Sequence, residues 1–534
     1  MRKIHLSVVV LCGILIQITN IAFGQSIPLD DYYRRNQLLG KIDSNISFTV
    51  RPVSPSAASE DVIFNDMTIP DSANRKAVAQ NKFAVWLLPL TWDQQYNTHH
   101  PYGWNDGAMI RAKGYQTMIS AGISAQAGFL KIQLRPEYVF AENQSFTTFQ
   151  TDNNYIDRPE RYGNGAYTKL SWGQSNVRLN LGPVSLGLSN ENLWWGPGIR
   201  NSLLMTNSAT GFKHLTLNTT RPVSTPIGSI EGQIVAGRLE ASGFAASKPD
   251  QWRYLSAVVL SYQPKWVPGL FVGFSRVFQT YHTELKSFSD YMPLFRPFQK
   301  INDKNNSTGV DDNDQLASVF ARWFFREAKT EVYFEYGKND HSLNQRDFLL
   351  SPEHSRAYMA GMRKILPFKN RSDEHLQVSL EFTHLQQSID RSLRDAGPWY
   401  LHYLIISGYT HQGEVLGAGI GPGSNLQSFD VSWIKGVKHI GLQFERYVHN
   451  NDFFYANLNN SQHGRWTDLS LSSTGVWDYK NLIFNAKVQA IKSLNYQWQV
   501  KQYGSDVLYT SGNNVFNLHA RIGISYRFKG NVKY

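Results

Sequence analysis

The sequence predicts an all-β fold: a single transmembrane antiparallel barrel of the outer-membrane type. Three observations carry this prediction. Strand-like stretches alternate strictly between apolar and polar residues, the first residues read as an export signal, and no later run is apolar for long enough to form a membrane helix.

The alternation is clearest near the C-terminus. Phe516, Leu518, Ala520, Ile522, Ile524, Tyr526 and Phe528 fall on one face, and Asn517, His519, Arg521, Gly523, Ser525 and Arg527 on the other. Successive side chains of a strand point to opposite faces, so this segment sets one face against an apolar medium and the other against polar groups. Aromatics at both ends of the apolar face suit the two interfaces of a bilayer, and tilted steps of about 3.3 Å carry the segment across roughly 30 Å, close to its apolar band. The same period recurs in Leu130, Ile132, Leu134, Tyr138 and Phe140; in Leu376, Val378, Leu380 and Phe382; and in the runs beginning at Phe429, Ile440 and Leu482. Lys131, Arg135, Glu137, Glu381 and Arg521 lie on the opposite faces and predict a polar lumen. A soluble sandwich or propeller would share the period, but not the export signal, the strand length and the terminal aromatics together.

Residues 1–24 read as a cleaved signal: Arg2 and Lys3, an apolar run from Leu6 to Ile16, and Ala22-Phe23-Gly24 before the cut. Cleavage removes Cys12, the only cysteine of the 534 residues, and lowers the formal charge from +11 to +9. The mature chain then has no disulfide or thiolate chemistry, and its spread basic excess, on an exported protein, argues against a nucleic-acid partner. A mean hydropathy of −0.37 is compatible with a barrel wall that is apolar on one side only.

Residues 25–82 precede the barrel, which is expected to occupy 83–534. Asp30 to Asp43 has helix-forming residues with Tyr32, Leu38, Leu39 and Ile42 as packing positions; Ile46, Phe48 and Val50 suggest a short strand; 54–82 reads as a cap or linker. With the C-terminus on the periplasmic side, 408–425, 449–464 and 499–514 face outward. Further back the alternation of direction fails: 386–400 would become a long periplasmic loop, which marks one strand there as missing or spurious.

No catalytic signature of the G-x-S-x-G, H-E-x-x-H or phosphate-loop type occurs, and no cofactor or metal is expected. Gly417, Gly419, Gly421 and Gly423 read as a flexible outer loop, Asp311, Asp312 and Asp314 as a solvated acidic run, and His99-His100 as a polar edge. His375, Glu381 and His384 cannot converge on one strand face to hold a metal. Trp194 and Trp195 point to opposite sides of an extended segment, so one is expected toward lipid or a neighbouring loop and the other toward the lumen. The turn Gly196-Pro197-Gly198 between them and Arg200 would let Glu191 and Arg200 pair inside.

The stretch "SNENLWWGPGIRNSLLMTNSATGFKHLTLNT" at 189–219 resembles the Wzi-type capsule-assembly family, as do "DYYRRNQLLGKIDSNISF" at 31–48, "GAGIGPGSN" at 417–425 and "ERYVHNNDFFY" at 445–455, the last three in the form of a Bacteroidetes-type branch. The family signature falls on Trp194, Trp195, Gly196, Pro197, Gly198, Ser202, Asn207 and Ala209; Ser208-Ala209-Thr210-Gly211 and the polar segment 300–314 depart from the enterobacterial pattern. The resemblance implies a monomeric barrel of about 18 strands, a small periplasmic helical element, and a surface lectin that binds capsular or exopolysaccharide and helps keep the capsule attached. Outer-membrane lipids and polysaccharide export machinery are the other partners this implies.

Sugar recognition needs flat aromatic faces together with amides or guanidinium groups. Trp194, Trp195 and Arg200 in the signature, and Asn450, Asn451, Asp452, Phe454, Tyr455, Arg465 and Trp466 in an outward segment, are the candidate contacts, with Arg465 suited to a carboxylate; Glu191, Gly196, Pro197, Gly198, Ser202 and Asn207 are expected to be structural. A diffusion porin is the alternative reading of the same lumen, and an outer-membrane lipid-modifying enzyme a minor one.

Overall fold

In the computed structural model, residues 27–42, 45–53, 83–149, 156–245, 251–291, 293, 313–339, 345–350, 352–388, 397–458, 463–500 and 512–528 are described. The signal with Cys12, all of 54–82, and Asp311 and Asp312 lie outside them.

Period-2 segments pair in chain order into a closed antiparallel barrel of 18 wall strands, some of them interrupted. They are β1 Ala84–Asn97, β2 Gly114–Ala127, β3 Leu130–Leu134 continuing as Glu137–Ala141, β4 Tyr167–Ser171 continuing as Asn176–Leu181, β5 Val184–Ser189, β6 His214–Thr219, β7 Gly228–Leu239, β8 Arg253–Pro264 and β9 Leu270–Tyr281. The second half comprises β10 Asp314–Phe325, β11 Thr330–Asn339, β12 Arg356–Phe368, β13 Arg371–His384, β14 Asn425–Lys435, β15 Lys438–Val448, β16 Thr467–Tyr479, β17 Leu482–Leu494 and β18 Val515–Tyr526. Closure comes from β1, which pairs with β2 on one side and β18 on the other, so the sheet has no free edge. Short turns gather at one end with the entry to β1 and the exit from β18; the long connections gather at the other.

The expected faces hold. Phe516, Ile522 and Tyr526 are exposed on the outer wall while Asn517 and His519 are buried, and Ile440, Leu442 and Phe444 are exposed in the same way. Phe83, Phe129, Trp266, Phe368, Tyr479 and Tyr526 form an exposed aromatic belt at the short-turn end, as an interface girdle requires. The broken parity upstream of β14 is resolved: no wall strand lies between His384 and Asn425, because β13 pairs directly with β14. Among the described residues of this connection, 385–388 and 397–424, Trp399, Tyr400, Tyr409, Leu416 and Ile420 are buried within the barrel rather than placed in the wall, whereas Tyr403 is exposed.

An 18-strand wall encloses more space than its own side chains fill, and such barrels commonly hold a water channel. Here much of that space is occupied. Trp195, Leu203, Leu204 and Met205 from the β5–β6 connection, and Trp399, Tyr400, Tyr409, Leu416 and Ile420 from 385–424, form a core with inward Leu255, Val277, Leu316 and Ala357 of the wall. The expected polar lumen is therefore found in only part of the interior. Gly417, Gly419, Gly421 and Gly423 belong to the buried part, not to a flexible outer loop; a Cβ on Gly417 would run into the Leu203 carbonyl.

The expected N-terminal helix is α1, Ile27–Leu38, and it sits inside the barrel at the short-turn end. Leu38 packs with Phe271, Phe324, Ile365 and Ile434. Arg34 of α1, Arg322 of β10 and Arg363 of β12 surround the carboxylate of Glu331 on β11 at 3.0, 2.7 and 3.7 Å, and Arg363 also reaches Asp31 at 2.5 Å. Arg322 Nη1 donates to the Gln37 side chain (2.8 Å) and the Ser47 carbonyl (3.0 Å), tying the following chain to the same cluster. Of the expected strand at 46–50, Ile46 and Phe48 are buried plug residues, and only Val50–Arg51 pairs, with Trp194–Trp195.

Removing one member of a fully buried ion cluster costs about 3–5 kcal/mol, because uncompensated charge is left behind. Glu331→Ala should therefore lower the temperature at which the purified barrel loses its compact migration on semi-native gels, whereas Glu327→Ala in the exposed β10–β11 turn should leave it unchanged.

Candidate functional site

The signature block lies across the lumen and is held by wall carboxylates. Three consecutive backbone N–H groups, of Ile199, Arg200 and Asn201, donate to Glu381 of β13 at 2.8, 3.0 and 2.9 Å, and the Tyr333 hydroxyl donates to the same carboxylate at 2.9 Å. Glu335 of β11 accepts from the Ser202 hydroxyl (2.7 Å) and the Leu203 N–H (3.2 Å). The turn itself is braced from the plug: Arg34 donates to the Pro197 carbonyl (2.6 Å) and Arg51 to the Gly198 carbonyl (2.8 Å). Gly196 has φ near 111°, a conformation L side chains rarely adopt, and a Cβ there would meet Ser202 Oγ.

Neither tryptophan faces lipid. Trp195 is fully buried in the lumenal core, where Nε1 donates to Gln233 of β7 (2.9 Å). Trp194 points the other way, under the Arg51 guanidinium at 4.5 Å. The expected Glu191–Arg200 pair is absent: Glu191 pairs with Arg178 of β4 (2.7 Å) and Arg200 with Glu445 of β15 (2.6 Å). Wall cations and carboxylates on nearer strands meet these two residues first. Asn207 contributes its carbonyl, which accepts from Gly107 N–H (2.8 Å).

At the long-connection end, residues from separate loops converge into an aromatic cluster. His449 stacks on Trp466 with centroids 3.6 Å apart and planes 9° apart, and Tyr447 lies 3.8 Å from His449 on its other side. Trp466 also meets Tyr496 (5.1 Å) and Trp498 (5.4 Å) edge-on, while His100 lies 4.6 Å from Tyr496. Asp468 beneath the cluster accepts from Trp466 Nε1 (2.9 Å) and bonds His449 Nε2 (2.8 Å), which fixes both rings. Phe454 and Leu458 pack under Trp498, so the short helical turn after Asn450 is anchored from below. Tyr455, Asn457, Arg465 and His99 remain exposed around it. Offset and edge-on rings with amide and guanidinium groups on the rim are the chemistry that grips a pyranose: ring faces for its C–H side, polar groups for its hydroxyls.

A family model for capsule assembly protein Wzi matches residues 94–499. The chain belongs to the Wzi capsule assembly family. Among solved structures it is similar to Wzi of Escherichia coli, described as an outer-membrane protein involved in group 1 capsule assembly and as a carbohydrate-binding β-barrel, with a TM-score of 0.61 at 12% identity over 96% of this chain and 100% of that one. It also matches OccAB2 of Acinetobacter baumannii (TM-score 0.41, 10% identity, 83% of this chain and 97% of that one) and OprB of Pseudomonas putida (0.38, 12%, 86% and 97%). A search of curated proteins found no match. At such identities the likeness to Escherichia coli Wzi is one of fold, that of a closed β-barrel.

The candidate residues divide accordingly. Asn450, Asn451 and Asp452 hold the Wzi-family loop together: the Asn450 side chain accepts from Phe453 N–H (3.1 Å), Asn451 Nδ2 donates to Gln386 (2.9 Å), and Asp452 accepts from Gln387 N–H (3.0 Å). Tyr455, Arg465 and Trp466 stand at the surface or partly so. Sequence reading passed over His449, Tyr496 and Trp498 and took His99-His100 for a polar edge, whereas His100 is buried in the cluster. Among the described residues no three His, Cys, Asp or Glu side chains come together as metal ligands.

Burial depresses His100 from 6.5 to about 3, and burial also lowers His449 although Asp468 opposes that shift. A histidine whose folded pKa is depressed leaves the unfolded chain to take the proton first, so stability falls as pH drops below 6.5 and goes on falling toward 3. Lowering the pH from 7 to 5 should weaken the cluster by about 1–2 kcal/mol, read as loss of near-ultraviolet circular dichroism. His100→Asn should flatten that dependence.

Proposed function

We propose that this protein is a lectin of the outer membrane, which binds capsular polysaccharide at the long-connection end of the barrel and helps hold the capsule at the cell surface without turning it over. The observation that carries this reading is the mouth cluster: rings fixed by Asp468, with Tyr455 and Arg465 exposed on its rim, on a barrel of a capsule assembly family. The long connections face outward and the short turns inward, as outer-membrane barrels prefer. In this reading Trp194, Trp195, Arg200 and the glycines of the signature shape the plug that supports the mouth, and Tyr455, Trp466 and Arg465 touch the sugar. Export through a cleaved signal, a monomeric state and contact with polysaccharide export machinery belong to the same proposal. The packed lumen argues against a diffusion porin.

Detergent-purified protein should bind the host's own capsular polysaccharide saturably. Tyr455→Ala combined with Arg465→Ala should weaken that binding by about tenfold or more, the worth of a stacking contact and a charge-assisted hydrogen bond. Planar bilayers containing the protein should stay closed. Open channels together with no polysaccharide binding would leave a porin in place of the lectin.

A further inference from the structure

The plug does not fill the barrel evenly. Helix α1 and the apolar core take up much of the interior, and a cavity of about 880 Å³ remains, lined mainly by β1 to β5 and β16 to β18 and also by Asp30, Asp31 and Arg34 of α1 and by inward residues of β11 to β15 such as Glu381 and Asp430. It reaches residues at the short-turn end, among them Gly182, Thr220, Arg221 and Ser525, and its lining ends upward on the loop bearing Asn105 to Ala108 and on Asn207. That roof is tied shut. Gly107 N–H donates to the Asn207 carbonyl (2.8 Å), Asn105 Nδ2 to the Arg200 carbonyl (2.7 Å), and Arg521 of β18 to Asp106 (2.5 Å). Among the described residues the space is therefore a vestibule at the short-turn end, closed above by this roof.

Its lining is unlike a structural void. Empty cavities in folded proteins are apolar, whereas this one is walled largely by amide and charged side chains. Most of its charges are already neutralised by one another, as in Arg178–Glu191 and Arg521–Asp106. Some are not: among the described residues Lys131 of β3, Arg221 and Arg51 have no ion pair, Arg51 being turned to backbone carbonyls, Lys487 of β17 has Glu445 only at 3.9 Å, and the lining carboxylates Asp30, Glu137, Glu381 and Asp430 also have none. Trp194, 5% exposed, lines the same space, and its indole N–H has no acceptor among the described residues. Amides, a tryptophan with an unused donor and spare cations are a set that matches hydroxyls and carboxylates presented together.

We propose that this vestibule is a second binding site, at the short-turn end, for a short stretch of carboxylate-bearing saccharide, with Lys131 and Lys487 holding its carboxylates and Trp194 its hydroxyl face. The site stands on the cavity lining alone and is independent of the aromatic mouth. It gives the barrel a sugar contact on each side of its roof.

The test uses the full mature chain, which has no cysteine once the segment containing Cys12 is removed. A single Asn180→Cys substitution places a thiol on the cavity wall. Tetragalacturonate should slow the reaction of that thiol with an uncharged maleimide, and maltotetraose and inorganic phosphate at equal concentration should not. Adding Lys131→Gln, which keeps a polar inner face, should raise the tetragalacturonate needed for protection by about tenfold, and Lys487→Gln should do the same. Both variants are first checked for the compact migration of a folded barrel. Adding Tyr455→Ala should leave protection as it was, whatever becomes of polysaccharide binding at the mouth. The proposal is overturned if tetragalacturonate gives no protection, if maltotetraose or phosphate protects equally, if both lysine variants behave as the parent, or if Tyr455→Ala abolishes the effect.

Discussion

Three inward carboxylates hold the interior of this barrel in place. Glu331 gathers guanidinium groups from the N-terminal helix and two wall strands, Glu335 takes Ser202 and the N–H of Leu203, and Glu381 takes three consecutive backbone N–H groups of the signature turn. A loop crossing a lumen carries backbone donors that must be satisfied without water, and a carboxylate with two oxygens can satisfy several at once. Each carboxylate is expensive to bury alone and well placed only when its donors arrive. Plug, turn and wall therefore specify one another.

From this arrangement the division of labour follows. The signature block is occupied with structure: its carbonyls accept from Arg34 and Arg51, its N–H groups are spent on Glu381 and Glu335, and Trp195 is spent on Gln233. In the proposed reading the sugar contact at the mouth comes from rings of other segments, and of the two signature tryptophans only Trp194 lines the lumenal cavity. The signature sets the floor on which the segment bearing Tyr400 and Tyr409 rests, through their hydroxyls, which donate to the carbonyls of Leu203 and Leu204.

The wall was legible in the sequence because a lipid-facing strand writes its period directly into the residues, as β18 does from Phe516 to Tyr526. The connection after β13 was not, since Trp399, Tyr400, Tyr409 and Leu416 are apolar for a reason unrelated to lipid: they line an internal core, and a buried loop can mimic a strand's composition. Pairing inside the lumen was equally hidden. Arg200 meets Glu445 and Glu191 meets Arg178 because closure brings distant strands together, and no local spacing announces that. The mouth cluster draws on positions 100, 449, 466, 496 and 498, of which only Trp466 was among the candidate contacts, although position 449 opens the outward segment whose composition drew notice.

The docking of α1 has a consequence for how the wall is built. Arg34 and Glu331 are separated by 297 positions, so the helix waits for strands made far later in the chain. A slip of one residue in the pairing of β11 would exchange its two faces, turning Glu331 and Glu335 toward lipid and Val332 and Phe334 inward. A misregistered wall would then offer the arginines of α1 no counter-charge and the signature turn no acceptor. The N-terminal segment thus reads the register of a barrel it precedes, and seals only the one that has closed correctly.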